Sequence, residues 1–349
     1  MPRWFRRGND FKAPLGGRMA REGTVAINIL NRRLLIVTGK GGTGKSTVCA
    51  GLALAAVKQG KRVLLVECDS RSGSKARITE IFGTPHVDAD PREVYPNIFA
   101  ANLSGDAPLR HYVVSKVRFE SIYNLAFRLP FVRNTMEFFP GVKEFFIMHR
   151  IAQFVNERSR GRLAWDLVIF DGPTTGHSLF YLQAPKMIRD MLKVGAFTRD
   201  AALTHDTIVS GDNTSFNVVT LAEEMPVNET IDLIRNAKLS LDVPLGYVFI
   251  NMINSSPLAN GLGERLREAS ADTGFQRAAA GFLGGEQAVR FATEAAAFQR
   301  ERARLNQSYV DKLLREDMRY IQLPFIYSRN FDINTIIGIS EVIRKGVMA

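Results

Sequence analysis

The residues Gly39-Lys40-Gly41-Gly42-Thr43-Gly44-Lys45-Ser46 have the types and spacing of a phosphate-binding loop, G-x-x-x-x-G-K-[ST]. Glycines let the backbone turn tightly and aim successive N–H groups at phosphate oxygens. A helix opening just after the loop adds a partial positive charge at the same place. Lys45 is then the side chain that reaches the β- and γ-phosphates, the Ser46 hydroxyl holds Mg²⁺, and Thr47 follows within the first helical turn. Two carboxylates stand where such a loop needs them. Asp171 closes the apolar run Leu167-Val-Ile-Phe170, and with Ser46 it can organise Mg²⁺ directly or through water. Asp69 closes a second apolar run and can orient or deprotonate an attacking water. Its alternative role is that of a helix N-cap or a solvated loop acid. Phosphoryl transfer asks for positioning and charge neutralisation more than covalent chemistry, and these residues supply both.

The flanking sequence provides the elements that hold them. Leu34-Leu35-Ile36-Val37 predicts a buried strand, and Thr47 to Gln59, rich in Ala and Leu, predicts a helix that stops at Gly60. Arg62 to Cys68 predicts a parallel strand, its middle apolar on both faces, which delivers Asp69 to the carboxyl edge of the sheet. Further strands are expected at 96–104, 166–171, 216–221, 245–251 and 320–324. Helices are expected at 140–157, 178–194, 228–239 and at the C-terminus. Gly172 to His177 and residues 198–214 read as loops. This alternation predicts an α/β fold, a mainly parallel sheet with helices on both faces, carrying a helical insertion at about 106–158. That insertion is rich in phenylalanine, with Phe119, Phe127, Phe131, Phe138, Phe139, Phe145, Phe146 and Phe154. With Leu179 to Leu192 it is expected either to line an apolar groove or to pack as an ordinary helical subdomain. Phe291, Ala295, Phe298, Arg302, Leu305 and Tyr309 recur at helical spacing and predict a packed face. Ile333, Ile336, Ile337 and Ile343 form a stripe that fits core packing or a membrane-surface helix.

Charge and composition narrow the setting. The chain has 349 residues, is 46% apolar and carries a net charge of +11. Residues 1–33 hold eight basic and two acidic residues, so +6 of that charge lies in this first stretch, of which residues 1–32 are expected to be a basic, weakly ordered extension. The extension is expected to be a solvated tail or a contact for anionic lipid or nucleic acid, with a start at Met19 as an alternative expectation. No specific nucleic-acid binding is expected. No apolar run is long enough to span a bilayer and no signal-peptide core is present, so the cytoplasm is expected, with peripheral membrane association as the alternative. The only cysteines, Cys49 and Cys68, offer neither a disulfide framework nor a CxxC for zinc or an iron–sulfur cluster.

Lys40 directly after the first glycine makes K-G-G-T-G-K-S, which resembles the deviant Walker A class of P-loop ATPases. That class includes the ParA/MinD partitioning ATPases, the nitrogenase iron protein and the ArsA-type ATPases. The resemblance implies that Lys40 crosses a dimer interface to the partner's nucleotide; the alternative is a solvated surface lysine. Asp171-Gly-Pro-Thr-Thr-Gly-His177-Ser-Leu is similar to the D-T-A-P-T-G-H-T-L signature of the ArsA and tail-anchored-protein-targeting ATPases, with departures at Gly172, Pro173 and Thr174. Pro140-Gly141 with Glu144, Phe249-Ile250-Asn251 and Leu323-Pro324 resemble further segments of that family in the same order. The likeness runs from about residue 33 to 347. It implies a nucleotide site built from Gly41, Gly42, Thr43, Gly44, Lys45, Ser46, Thr47, Asn251 and Pro324, with Lys40, Lys45 and Asp69 catalytic. It implies a switch of Asp69, Asp171, Thr175, Gly176 and His177, with ATP or ADP and Mg²⁺ bound. The implied partners are a second copy or a related ATPase, and an apolar helix or membrane protein as client. The family's zinc CxxC and the arsenite-binding cysteines have no counterpart here. Zinc is therefore not expected, and neither is arsenite pumping. A positioning ATPase of the ParA/MinD kind is the competing reading.

Overall fold

The structure is a computed structural model and describes residues 28–68, 77–84, 86–117, 140–192, 195–254, 268, 271–283, 286–326, 328 and 331–348. Its strands are β1 (Leu34–Gly39), β2 (Val63–Glu67), β3 (Arg92–Tyr95), β4 (Ile98–Asn102), β5 (Arg158–Ser159), β6 (Arg162–Leu163), β7 (Leu167–Asp171), β8 (Thr214–Leu221), β9 (Leu245–Ile253) and β10 (Arg319–Pro324). Its helices are α1 (Lys45–Val57), α2 (Arg77–Phe82), α3 (Ala107–Val117), α4 (Val142–Asn156), α5 (Thr175–Met191) and α6 (Ala196–Val209). They continue with α7 (Glu224–Ser240), α8 (Thr273–Leu283), α9 (Glu286–Leu313) and α10 (Ile333–Met348). Eight strands form one sheet in the order β10-β9-β8-β1-β7-β2-β4-β3. Every pair in it is parallel except β3 with β4, an edge hairpin turned at Asn97 in the left-handed region. This is the architecture of a P-loop α/β protein.

The strands are apolar in continuous runs because both faces of the sheet are covered. Leu35, Val37, Leu65, Ile169 and Phe249 point to the side of α1 and α10, whereas Leu34, Ile36, Leu64, Val168 and Phe170 point to the side of α4. α1 is buried on nearly every side, which its run of Ala and Leu allows. α10 packs against α1 with Ile336, Ile339 and Ile343 buried, so its isoleucine stripe is core.

Three expectations fail. Thr175, Gly176 and His177 are not loop: they form the first turn of α5, whose amides at His177 and Ser178 bond to the Thr174 carbonyl. Residues 198–214 are mostly α6 rather than loop. Its polar residues looked loop-like, but they are satisfied by distant helices. The Tyr112 hydroxyl donates to Asp200 at 2.8 Å, Lys116 pairs with Asp200 at 2.6 Å, and buried His149 bonds to Thr204 at 2.8 Å. The predicted packed face of α9 holds at Tyr309, which is half-buried against the cluster of Val310 and Leu313, but Phe291, Phe298 and Leu305 are 74%, 65% and 51% exposed. The buried face of α9 is set by Ala296, Val310 and Leu313, against α7 and β9. Of the phenylalanine-rich stretch, Phe145, Phe146 and Phe154 are buried, Phe154 in the core beneath the sheet and the other two with Tyr112, Ala184 and Ile188. Phe119, Phe127, Phe131, Phe138 and Phe139 lie outside the described residues.

Candidate nucleotide site

The carboxyl ends of β1, β7 and β2 meet in one row, where Asp171 is in register with Val37 on one side and Glu67 on the other. β1 runs into the phosphate-binding loop at Gly39. A Cβ at Gly39 would stand 2.0 Å from the Val219 carbonyl oxygen, so only glycine lets β8 lie against the loop. At Gly44, with φ +88°, the left-handed backbone brings the chain into α1, and a Cβ would meet the Asn251 side-chain nitrogen at 2.3 Å. Gly41 and Gly42 are exposed at the loop's tip. The buried Thr43 fastens the loop from inside: its hydroxyl donates to the Lys40 carbonyl at 2.9 Å, and its own carbonyl accepts from Asn251 Nδ2 at 2.9 Å.

Lys45 and Ser46 open α1 and are both buried. Lys45 Nζ curls back to donate to the Gly39 carbonyl at 3.1 Å, and desolvation by burial lowers its pKa. The Ser46 hydroxyl donates to Asp171 Oδ2 at 2.5 Å. The other oxygen, Asp171 Oδ1, is buried without a hydrogen-bond partner. Burial pushes the Asp171 carboxyl above its ordinary pKa, opposed by the Ser46 hydrogen bond and the Lys45 charge. A buried carboxylate oxygen left unmatched beside a serine hydroxyl fits a divalent cation, whose charge would stabilise the ionised form and use the vacant lone pairs. Ser46 and Asp171 are thus suited to hold Mg²⁺.

Two cavities of about 370 Å³ each flank this pair. One is bounded by Lys45, Ser46, Asp171 and His177 together with Glu67, Arg77, Glu144 and Tyr181. The other lies beyond Gly44 to Thr47 and is closed by Arg77, Glu80 and Phe331. A third, of about 160 Å³, lies at the ends of β8 and β9, with Asn251, Met252, Gln299, Arg302 and Phe325 on its walls. Pro324 ends β10 one residue short of that wall; its neighbour Phe325 lines it and bonds through its amide to the Ile253 carbonyl at 2.8 Å. His177 is exposed at the first turn of α5 and faces the cavity that holds Lys45. Asp69 lies outside the described residues.

Lys40 does not point into any of these cavities. Its Nζ pairs with Glu229 Oε1 on α7 at 2.5 Å, while the Thr175 hydroxyl donates to Glu229 Oε2 at 3.1 Å. Glu229 was not singled out from the sequence, since one acid on a polar helix carries no signal. Glu67 was likewise passed over as an ordinary strand residue. Its burial beside Asp171 becomes visible only from the strand order.

A family model described as an anion-transporting ATPase matches residues 32–203. The ATPase BagA of Mycobacterium tuberculosis is 29% identical over 231 residues, which cover 63% of this chain and 64% of that protein. The ATPase GET3 of Podospora anserina is 26% identical over 161 residues, 46% of this chain and 45% of its own length. The GET3 of Komagataella phaffii is 27% identical over 172 residues, 48% of each chain. The chain therefore spans less than two thirds of the length of these curated relatives.

Proposed function

From the premise that residues 32–203 of this chain are an ArsA-type ATPase domain, we propose that the protein hydrolyses ATP with Mg²⁺ and works as a nucleotide-dependent dimeric switch. The observation that carries the proposal is the Ser46–Asp171 contact at 2.5 Å, with Asp171 Oδ1 unmatched, directly under a loop that presents Lys45. The loop amides and the N-terminus of α1 bind the phosphates, and Lys45 leaves the Gly39 carbonyl to neutralise their charge. Bound Mg²⁺ adds charge neutralisation at the phosphate oxygens. Asp69 orients the attacking water. Asn251 and the small cavity around it receive the base. Lys40 acts on the nucleotide of the partner subunit, which is a second copy or a related ATPase.

The switch is α5. Its first turn holds Thr175, Gly176 and His177 at the phosphate end, and its far end carries the exposed Met191 and Leu192. Seventeen residues of helix span about 25 Å. A displacement forced at the first turn is thus transmitted to an apolar surface, where we place the docking of an apolar client helix. The competing surface-positioning role of the ParA/MinD kind would use α10 as a membrane-surface helix, and α10 instead buries Ile336, Ile339 and Ile343 against α1.

Phosphate release measured against Mg²⁺ concentration tests the chemistry. Turnover should require Mg²⁺ and vanish in Lys45→Ala. Mixing Lys40→Ala with Asp69→Asn chains should restore part of the activity through dimers with one intact composite site. Absence of recovery in demonstrated mixed dimers would sink the trans role of Lys40, and Mg²⁺-independent turnover would sink the metal assignment.

A further inference from the structure

Lys40 is held on its own subunit by a single carboxylate that also holds the start of α5. Glu229 sits in the second turn of α7 and uses both oxygens: Oε1 for Lys40 Nζ at 2.5 Å and Oε2 for the Thr175 hydroxyl at 3.1 Å. We infer that Glu229 is a positioning residue that parks Lys40 in cis and couples its release to movement of α5. The inference rests on the trans role of Lys40 proposed above.

The geometry makes two demands, and glutamate meets both at this position. A cation and a hydroxyl donor are bridged at once, so both acceptor oxygens are needed. Glutamine keeps one acceptor and turns an NH₂ toward either the ammonium or the hydroxyl. Aspartate is one methylene shorter and cannot keep both reaches from the same backbone position. The pair is also partly open to solvent, with Lys40 and Glu229 side chains 31% and 38% exposed. Such a pair is weak, so it acts as a latch that a competing phosphate overcomes, not as a permanent tie. A nucleotide on the partner subunit presents more negative charge to Lys40 than one carboxylate does. Once Lys40 leaves, Glu229 keeps only the Thr175 contact, and its carboxylate, no longer pinned by the ammonium, is free to move with the first turn of α5. The two halves of the switch, the loop lysine and the α5 turn, therefore report to one residue that lines none of the three cavities around the phosphate loop and Asn251.

The test is ATP turnover as a function of protein concentration, which separates dimer formation (the concentration at half-maximal turnover) from chemistry (the plateau kcat). Glu229→Gln should lower the half-maximal concentration by up to about fivefold per site, the ratio set by ~1 kcal/mol for an exposed pair, with the plateau within about twofold of wild type. Thr175→Val, which removes only the α5 contact, should give a smaller shift in the same direction, and Glu229→Asp should behave like Glu229→Gln. In a Lys40→Ala background, where turnover is lost, the dimerisation constant is read instead as solution mass against concentration with a non-hydrolysable ATP analogue, and adding Glu229→Gln should leave it unchanged, because there is nothing left to release. An unchanged or higher half-maximal concentration, or an equal shift in the Lys40→Ala background, overturns the inference while leaving the trans role intact. Full turnover by Lys40→Ala alone removes the trans role itself and the latch with it. Thermal midpoints of all variants, which should lie within about 1 °C of wild type, separate these results from misfolding.

Discussion

Asp171→Asn separates the metal reading from a structural one, because the two predict opposite signs. The substitution keeps shape and removes charge. Asp171 is buried, accepts from Ser46 at 2.5 Å and leaves Oδ1 unmatched. An unsatisfied buried polar atom costs roughly 1–3 kcal/mol, more for an ionised group, and the burial that raises its pKa is the same cost in another form. Asparagine relieves the charged part while still accepting from Ser46. Lys45 loses a neighbouring counter-charge but keeps the Gly39 carbonyl at 3.1 Å and the Lys40 carbonyl at 3.4 Å. The ligand-free variant should therefore be more stable than wild type by about 1 kcal/mol. At about 2 cal/mol/K of unfolding entropy per residue over the chain, that is a rise of about 1 °C in Tm. Adding Mg²⁺ with a non-hydrolysable ATP analogue at 100 times its dissociation constant should stabilise wild type by about 2.7 kcal/mol, or about 4 °C. The variant should lose the Mg²⁺-dependent part of that shift. Differential scanning fluorimetry in EDTA, in Mg²⁺ and in Mg²⁺ plus analogue reads all of these differences. If the ligand-free variant is markedly less stable than wild type, or keeps its full Mg²⁺-dependent shift, Asp171 is a structural acid and the metal assignment is wrong.

Other perturbations test the surrounding structure. Gly44→Ala puts a Cβ 2.3 Å from Asn251 Nδ2 at a φ of +88°, so it should cost about 1–3 kcal/mol and weaken nucleotide binding at least about tenfold, read by fluorescent-nucleotide titration. Phe154→Ala, in the core with the Arg150 guanidinium 4.1 Å from its ring, should cost about 3–5 kcal/mol in urea unfolding, whereas Phe298→Ser on exposed α9 should stay within about 0.5 kcal/mol. His149 is held neutral: Thr204 Oγ1 donates to the Asp200 carbonyl and so accepts from His149 Nδ1, and burial lowers its pKa from 6.5 to about 4. Because the folded pKa is depressed, the unfolded chain binds the extra proton between these values, so stability is complete above pH 6.5 and is lost as pH falls toward 4. Between pH 7 and 4.5 wild type should lose about 2 kcal/mol more than His149→Gln, measured as urea midpoints at the two pH values.

The phosphate loop, the strand before it, the helix after it and the carboxylate at the end of β7 are all legible in the amino-acid sequence. These are local facts. A glycine run, an apolar run and a terminal acid keep their meaning whatever surrounds them, and the doubly covered sheet follows from strands that are apolar throughout. The isoleucine stripe of α10 allowed two meanings, and only the neighbouring α1 chose core packing. α6 was hidden for a related reason, since Asp200 and Thr204 look like loop residues until Tyr112, Lys116 and His149 arrive from other helices to bond them. The opposite error occurred in α9, where helical spacing was legible but the partner for Phe291, Phe298 and Leu305 was assumed; periodicity shows that residues share a face, not that anything covers it. Glu67 and Glu229 became site residues only through register and helix placement, one brought beside Asp171 by the order of β2 and β7, the other brought to Lys40 by α7 from 189 positions along the chain. Charge pairing over that distance leaves no local pattern, so only the tertiary structure could decide where Lys40 rests.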